Sequence, residues 1–228
     1  MAASRAAWRD EAAEIDPKRF VFLDESGFDT RLPRTHARAP RGQRAHGKAP
    51  GGRWQRLTLI AALALDGLCA AMTVAGATDT RVFLAFVTQV LIPALKQRRP
   101  DAVVVMDNLA AHTAAVVRRA LDAAGIAYRY LPAYSPDMNP IELAWSKLKT
   151  YLRARAARTR ESLERAIPEA IATVTPSNAE GWFRHAGYPL DRSEIRSSLT
   201  VSFQPSAPYQ CHSSPVAPNG KREYARSW

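Results

Sequence analysis

The stretch AVVVMD, residues 102–107, decides the fold class. Its β-branched run shows no polar alternation, which is typical of a strand buried on both faces of a parallel sheet. The run ends on a carboxylate, Asp107. An earlier stretch, FVFLD at residues 20–24, has the same form and ends on Asp24. The sequence therefore predicts two buried strands that each deliver an aspartate to one edge of a sheet, the edge where ligands bind in open α/β sheets.

The rest of the chain predicts a mixed α/β layer around these strands. Two apolar runs, 57–65 and 69–76, flank the turn pair Asp66-Gly67 and predict a hairpin. A further strand is predicted at 127–131, with helices before and after residues 102–107 and a long helix after Asn139. One or two short helices are expected within 160–187, where Pro168 should kink or split the first. We expect an α/β fold with a mixed five-stranded sheet flanked by helices.

The charge of the chain indicates a polyanionic partner. Lys and Arg number 32 against 21 Asp and Glu, a net charge of +11. Nucleic acid is the first candidate for that partner, and an anionic membrane surface is the second. The longest apolar run, 57–65, is far short of the roughly 20 residues that a membrane helix needs. The two cysteines have no metal or disulfide spacing, so we expect a cytoplasmic protein without a zinc site.

The two strand-end aspartates predict a metal site. Neighbouring carboxylates repel each other unless a proton or a metal ion intervenes. Mg²⁺ takes oxygen ligands and keeps waters for a substrate phosphate. Glu142, in the first turn of a helix that follows the proline-rich segment 132–140, is the candidate third ligand. Two ions held by Asp24, Asp107 and Glu142 would activate an attacking oxygen and stabilise a leaving one.

Basic residues surround these acids in the sequence. Residues 143–160 hold six Lys and Arg, residues 31–56 hold eight, and neither segment has an acidic residue. Such segments suit the phosphate backbone of DNA, although a solvated Arg-rich linker is the alternative for 31–56. The candidate DNA-binding residues are Arg31, Arg34, Arg41, Arg44, Lys147, Lys149 and Arg153.

Each acidic signal has a simpler interpretation when taken alone. Glu142 follows Asn139 by three residues, the spacing of a helix capping box. Asp24 and Asp107 are also of the type expected at turns. An aspartate-nucleophile phosphatase is a further hypothesis, but that chemistry needs a second Asp where Ser26 stands. The metal-site hypothesis therefore depends on the combination and order of the three acids.

Four motifs resemble, in order, those of mariner-type transposases. They are FLDESG at 22–27, MDN at 106–108 with His112, LPAYSPDMNPIE at 131–142, and Trp145 with KLK at 147–149. The third motif resembles the signature of the bacterial insertion-sequence branch, the IS-630 group of the Tc/mariner superfamily, with Ala133 and Met138 as variants. Asp107 and Glu142 are separated by 34 residues, the spacing of this superfamily. The resemblance covers residues from about 15 to 190.

This resemblance implies an RNase H-like fold and the chemistry of a DDE transposase. Asp24, Asp107 and Glu142 would hold two Mg²⁺ (or Mn²⁺) ions, and Asn108 and His112 would support the site. Activated water would cut DNA at the transposon ends, and the freed 3′-OH would attack target DNA, with a homodimer bound to the DNA. An inert remnant that only binds DNA non-specifically is the alternative.

The resemblance also suggests how the chain is organised. We expect a helical linker at 1–19, a catalytic domain at 20–190 and a disordered tail at 191–228, where Ser and Pro replace periodic apolar residues. Relatives begin with helix-turn-helix modules, and the segment before residue 20 is too short for one. A second reading frame or a truncated copy is expected, with an upstream frame or a separate helix-turn-helix protein as partner. The expected location is the bacterial cytoplasm, on the nucleoid.

Overall fold

The computed structural model describes residues 2–33, 38–46, 51 and 54–190. Its strands are β1 Phe20–Asp29, β2 Arg56–Ala64, β3 Gly67–Ala75, β4 Val103–Met106 and β5 Ala127–Tyr130. They form one five-stranded sheet in the order β3-β2-β1-β4-β5. The β1–β2 and β2–β3 pairs are antiparallel, whereas β1–β4 and β4–β5 are parallel. The predicted mixed five-stranded sheet is confirmed.

Helices cover both faces of the sheet. They are α1 Ala2–Ala13, α2 Thr80–Phe86, α3 Ile92–Arg98, α4 Ala115–Ala124, α5 Ile141–Arg155, α6 Arg160–Ala172 and α7 Pro176–His185, and a π-helical turn at Val87–Leu91 joins α2 to α3. Side chains alternate along β1: Phe20 and Phe22 pack with α1, α5, α6 and α7, whereas Val21 and Leu23 pack with α2, α3 and α4. The period of two in a strand thus divides the core into two layers.

Two local predictions have different outcomes. The hairpin between β2 and β3 is confirmed, and Gly67 has a φ of 118°, which glycine adopts readily because it lacks a Cβ. The prediction that Pro168 can split its helix is wrong, because α6 continues through it. Proline removes one intrahelical hydrogen bond, but Leu163, Ile167 and Ile171 are buried in the core and hold the helix in place.

The N-terminal segment, predicted as a helical linker, forms α1 and packs on the sheet. Trp8 is buried, and its indole Nε1 donates to the Tyr188 hydroxyl at 3.1 Å. That hydroxyl donates in turn to the Met138 carbonyl at 2.8 Å. The Arg5 guanidinium pairs with the Asp137 carboxylate at 2.5 Å. These three contacts tie the first helix and Tyr188 to the segment that leads into α5.

Two further predictions concern residues that the structure does not describe. The predicted disordered tail, 191–228, and the predicted DNA-binding residue Arg34 both lie outside the described residues. Within the described ranges, no helix combines the length and the apolar character needed to cross a membrane.

Candidate active site

Asp24 lies within β1 and not at its end. The prediction that the strand stops at Asp24 is wrong, because β1 continues to Asp29. The reason is the antiparallel neighbour: β2 pairs with β1 from Phe22 to Asp29, with Asp24 opposite Ala61. On the other side, β4 pairs with β1 only from Phe20 to Phe22. The parallel partner therefore ends just before Asp24, although the strand itself does not.

The sheet register sets Asp24 and Asp107 side by side. Phe22 pairs with Val105. Asp24 lies two positions after Phe22, and Asp107 lies two positions after Val105. A step of two residues returns to the same face of a strand, and neighbouring strands lie about 4.8 Å apart. Phe22 and Val105 belong to the layer that contains α5. The backbone thus brings both aspartates to the edge of the sheet beneath α5.

The Asp24 carboxylate is buried, and both of its hydrogen-bond donors among the described residues are neutral. Oδ1 accepts from the Glu25 amide at 2.8 Å, and Oδ2 accepts from the Trp145 indole Nε1 at 3.0 Å. Burial raises the pKa of Asp24 to about 7; the two hydrogen bonds oppose this rise, and the nearby charges of Glu142 and Glu25 add to it. Within the described ranges, no positive charge pairs with this carboxylate.

Glu142 stands at the start of α5 and is free to bind. The N-cap position is Pro140 without a side-chain cap, and the Asn139 Oδ1 is buried with no hydrogen-bond partner among the described residues. The capping-box alternative is therefore not observed. Glu142 is exposed, and its charge acts on Asp24. Trp145, one turn further along α5, carries the hydrogen bond to Asp24, so this side of the helix faces the site.

Asp107 is half-exposed and is held through one of its two oxygens. Oδ1 accepts from the Leu109 amide at 3.0 Å and lies 2.5 Å from the His112 Nδ1, as an ion pair without linear hydrogen-bond geometry. Within the described part of the chain, no hydrogen bond uses Oδ2. Burial raises the pKa of Asp107, but the contacts with His112 and Leu109 outweigh it and leave the pKa below its usual value. Asp107 is therefore ionised and keeps one oxygen for a ligand.

His112 links Asp107 to Glu25 from a fully buried position. Its Nε2 lies 2.7 Å from the Glu25 Oε2, and its ring centroid lies 4.3 Å from that of Phe83. Each ring nitrogen faces a carboxylate oxygen, an arrangement that favours the imidazolium over the neutral ring. Burial lowers the pKa of His112, but the two carboxylates raise it by a larger amount, and the resulting pKa is about 9. The bridge is therefore a buried cation between two acids.

Sequence reasoning did not select Glu25 as a site residue, although a signal for it was present. Glu25 directly follows Asp24 in a strand, so it must point to the opposite face, where α2, α3 and α4 lie. An acid that faces a helical layer needs a partner. His112, at the head of the segment before α4, is that partner.

Asn108 joins the segment after Asp107 to the next strand. Its Nδ2 donates to the Leu131 carbonyl at 2.6 Å, and the Leu131 amide donates to the Met106 carbonyl at 2.8 Å. The segments that follow β4 and β5 are thus bonded to each other beside Asp107. The supporting role of Asn108 and His112 in catalysis stays a prediction.

The predicted DNA-binding residues Arg31, Arg41 and Arg44 lie in the segment between β1 and β2. Arg31, Arg41 and Arg44 are exposed. The Arg31 guanidinium lies 4.5 Å from the centroid of the Trp54 ring. Arg56, which sequence reasoning did not select, lies across Gly27, where an added Cβ would meet its guanidinium at 2.5 Å. Glycine at this position therefore gives the Arg56 side chain room to lie against β1, on the face opposite to Asp24.

The predicted DNA-binding residues on α5 are half-buried. The Lys147 Nζ donates to the Asn178 Oδ1 at 2.5 Å, so this lysine holds α5 to α7. The Arg153 Nε is buried without a hydrogen-bond partner among the described residues. Glu142, Lys149 and Arg153 share one side of the helix, since their spacing follows the helical period. The acid thus stands at the head of a basic row.

The donor atoms suit a hard divalent cation, although they are not gathered around one point. Among the described residues, no cluster of three or more His, Cys, Asp or Glu side chains has metal-binding geometry. In the part of the chain that the structure describes, the free oxygens belong to Asp107 and Glu142, and no cation pairs with Asp24. Mg²⁺ and Mn²⁺ prefer such oxygen ligands.

The comparisons with known proteins agree with this geometry. A family model described as DDE superfamily endonuclease matches residues 19–164, which is more than half of the chain and includes all three acids. No curated protein matches the chain.

Solved structures share the fold. The Mos1 mariner paired-end complex with Mn has a TM-score of 0.65 and 21% identity, over 81% of this chain and 56% of that chain. The pre-cleavage Mos1 transpososome has a TM-score of 0.63 and 19% identity, over 83% of this chain and 62% of that chain. The catalytic domain of Mos1 mariner transposase has a TM-score of 0.57 and 17% identity, over 83% and 93%. The chain thus spans about three fifths of the transpososome protein, and its fold is RNase H-like.

Proposed function

The chain belongs to the family of DDE superfamily endonucleases, and on that premise we propose that residues 20–190 are the catalytic domain of a transposase. Its reaction is metal-dependent cleavage of a DNA strand, followed by transfer of the freed 3′ end to target DNA. One observation carries the proposal: the sheet register places Asp24 and Asp107 on neighbouring strands beneath the head of α5, where Glu142 acts on Asp24.

The three acids are the proposed metal ligands, for two Mg²⁺ or Mn²⁺ ions. When bound, such ions activate the attacking oxygen and stabilise the leaving oxygen. The protein orients the ligands: the Trp145 indole fixes Asp24, and His112 fixes one oxygen of Asp107. Mos1 structures with Mg and with Mn support the choice of metal.

The proposed substrate is DNA, both transposon ends and target. The exposed arginines between β1 and β2 and the basic row on α5 are the proposed backbone contacts. The Mos1 paired-end complexes support a dimer on DNA. The motif at 131–142 supports membership of the bacterial IS-630 group, acting on nucleoid DNA in the cytoplasm. A separate helix-turn-helix protein or an upstream frame would supply recognition of the terminal repeats.

The first test is nicking of supercoiled plasmid by the purified chain with Mg²⁺ or Mn²⁺. Asp107→Asn removes a ligand charge, and we expect nicking to fall about a thousand-fold, the effect of roughly 4 kcal/mol in the barrier. The matched control is Asp101→Asn, the same chemical change at the opposite end of β4, on a side chain that is 69% exposed. This control should nick at the wild-type rate.

Two results would contradict the proposal. Nicking that continues unchanged in EDTA would show that no metal ion takes part. A folded chain that binds plasmid but nicks it with neither metal would instead support the inert DNA-binding remnant. Circular dichroism of each variant would confirm that the compared proteins are folded.

A further inference from the structure

The three proposed metal ligands are held in different ways. The Asp24 carboxylate accepts from the Trp145 indole, and one oxygen of Asp107 lies against His112. Among the described residues, by contrast, no hydrogen bond or ion pair reaches the Glu142 carboxylate. Its side chain is also exposed. The position of Glu142 therefore depends on the backbone that carries it into the site.

The backbone before Glu142 is not held by regular secondary structure. Within this fully described stretch between β5 and α5, a 3-10 turn at Pro136–Met138 is the one regular element. Tyr134 precedes the turn with a φ of 55°, in the left-handed region that is unfavourable for tyrosine. A strained residue of this kind persists only where its neighbours fix the chain. Hydrogen bonds at Leu131 hold the start of the stretch, so the half next to α5 depends on support from elsewhere.

Helix α1 supplies that support through Arg5. The Arg5 Nη1 donates to the Ser135 hydroxyl at 2.9 Å and to the Asp137 Oδ1 at 3.0 Å, and Nη2 donates to the Asp137 Oδ2 at 2.5 Å. Ser135 directly follows Tyr134 and is 5% exposed. Two parallel hydrogen bonds between a guanidinium and a carboxylate fix orientation as well as distance. One side chain of α1 therefore fixes the turn at two neighbouring points.

A second side chain of α1 reaches the last residue of the turn. Trp8 lies three positions after Arg5, which places both on the same side of the helix. The Trp8 indole donates to the Tyr188 hydroxyl, and that hydroxyl donates to the Met138 carbonyl. Glu142 stands four residues after Met138, in the first turn of α5. One side of α1 thus holds the chain immediately before the helix that carries Glu142.

The exposure of the pair between Arg5 and Asp137 separates positioning from folding. Their side chains are 26% and 62% exposed. Ion pairs as exposed as this contribute little to the free energy of unfolding, because water screens the charges. A displacement of about 1 Å in a catalytic site, by contrast, costs a large fraction of its function. Loss of this pair should therefore affect the site much more than the stability.

We propose that Arg5 is a positioning residue for Glu142, which it sets against the other two ligands through the turn at Pro136–Met138. This inference rests on the proposed function, since it requires Glu142 to be a metal ligand. Arg5 contacts neither the ion nor the DNA in this arrangement, and it acts only on the backbone that leads to Glu142. Helix α1 is then a part of the catalytic unit and not a linker to it.

The test is a double-substitution cycle on Mn²⁺ affinity, measured by calorimetric titration of the full chain. Arg5→Ala should weaken Mn²⁺ binding roughly ten-fold, because Glu142 is then displaced from the other two ligands. In a chain that already carries Glu142→Gln, Arg5→Ala should have no further effect, since the carboxylate that it positions is gone. The midpoint of thermal unfolding should shift by no more than about 2 °C.

Two further variants separate the hydrogen-bonded fork from the charge. Arg9→Ala is the matched control on the same helix: Arg9 is exposed and its charge also acts on Asp137, but among the described contacts it forms no hydrogen bond with that residue. It should leave Mn²⁺ affinity unchanged. Arg5→Lys keeps the charge and loses the planar fork, so it should weaken Mn²⁺ binding in the same direction as Arg5→Ala. Arg5→Lys also carries the test if Arg5→Ala does not fold.

Three results would overturn the inference. Unchanged Mn²⁺ affinity in Arg5→Ala, with nicking by the wild-type chain intact, would overturn it and leave the proposed function standing. Equal weakening by Arg5→Ala with and without the Glu142 carboxylate would show that Arg5 acts on the site as a whole and not through Glu142. A wild-type chain that neither binds Mn²⁺ nor nicks plasmid would overturn both the inference and the proposed function.

Discussion

Asp24 and Asp107 occupy equivalent places in the sheet but very different surroundings. Asp24 comes two positions after Phe22, Asp107 comes two positions after Val105, and Phe22 and Val105 pair across the parallel strands β1 and β4. β1 continues beyond Asp24 because β2 pairs with it, so the carboxylate is buried beneath α5. β4 stops at Met106, so Asp107 enters a loop and keeps a side chain that is 40% exposed. Strand length alone thus gives two like residues unlike environments.

The difference extends to their charges. His112 supplies a buried positive charge to Asp107 and lowers its pKa, whereas the described donors to Asp24, the Glu25 amide and the Trp145 indole, are neutral and the pKa of Asp24 is raised. His112 is the counter-ion of Asp107, whereas the described residues supply no counter-ion to Asp24. Because of this difference, a bound cation would change the protonation of Asp24 more than that of Asp107.

The largest effect is expected when the internal cation is removed. His112→Ala leaves the Glu25 carboxylate, whose side chain is 10% exposed, buried without a partner and removes the ring from Phe83. We expect the free energy of unfolding to fall by about 3 kcal/mol, the cost of breaking a buried ion pair. Urea unfolding measures this change.

The control for this substitution is His185→Ala, the same change at an exposed position on α7. It should alter stability by no more than about 0.5 kcal/mol. A loss below about 1 kcal/mol for His112→Ala would show that Glu25 finds other solvation, and the two aspartates would then differ only in exposure.

The sequence predicted the sheet and its two aspartates because both depend on local pattern. The β-branched run at 103–105 and the apolar run before Asp24 specify buried strands by composition alone. It did not predict the continuation of β1 to Asp29, since that follows from pairing with β2, which begins 27 residues later, at Arg56. Glu25 was missed for the same reason, because its partner His112 lies 87 residues away.

A second substitution tests the buried side of the comparison. Trp145 is buried, and its indole also donates to Asp24. Trp145→Phe keeps an aromatic ring and removes that donor, so the pKa of Asp24 should rise further. We expect a loss of about 2 kcal/mol in the free energy of unfolding at neutral pH, from a lost hydrogen bond to a charged group and a small cavity.

Urea unfolding and a carboxyl titration followed by NMR would measure both effects. Trp182→Phe, on half-buried Trp182 of α7, is the matched control; it should leave the titration of Asp24 unchanged. Equal stability of wild type and Trp145→Phe would show that water replaces the indole, and Asp24 would then resemble Asp107 more closely than its burial indicates.

The smallest effect, and the sharpest test of the comparison, is the pH dependence of metal binding. The pKa of Asp24 is raised from 3.8 to about 7, so the folded chain holds this proton more tightly than the unfolded chain. Its contribution to stability is therefore complete below 3.8 and is lost as the pH rises through about 7. A metal ion must displace the same proton, so Mn²⁺ affinity should fall about ten-fold for each pH unit below 7.

The protonation of Asp107 and His112 does not contribute to this pH dependence of the Mn²⁺ affinity. The lowered pKa of Asp107 keeps it ionised, and His112 stays charged up to a pKa of about 9. Calorimetric titration with Mn²⁺ between about pH 5.5 and 8 should therefore show one proton released per ion bound at the acid end of that range. Asp24→Asn should bind more weakly and without the slope, whereas Asp101→Asn should keep it. An affinity that is flat across this range in the wild type would mean that Asp24 does not exchange its proton for the metal, and the contrast between the two aspartates would then have no part in ion binding.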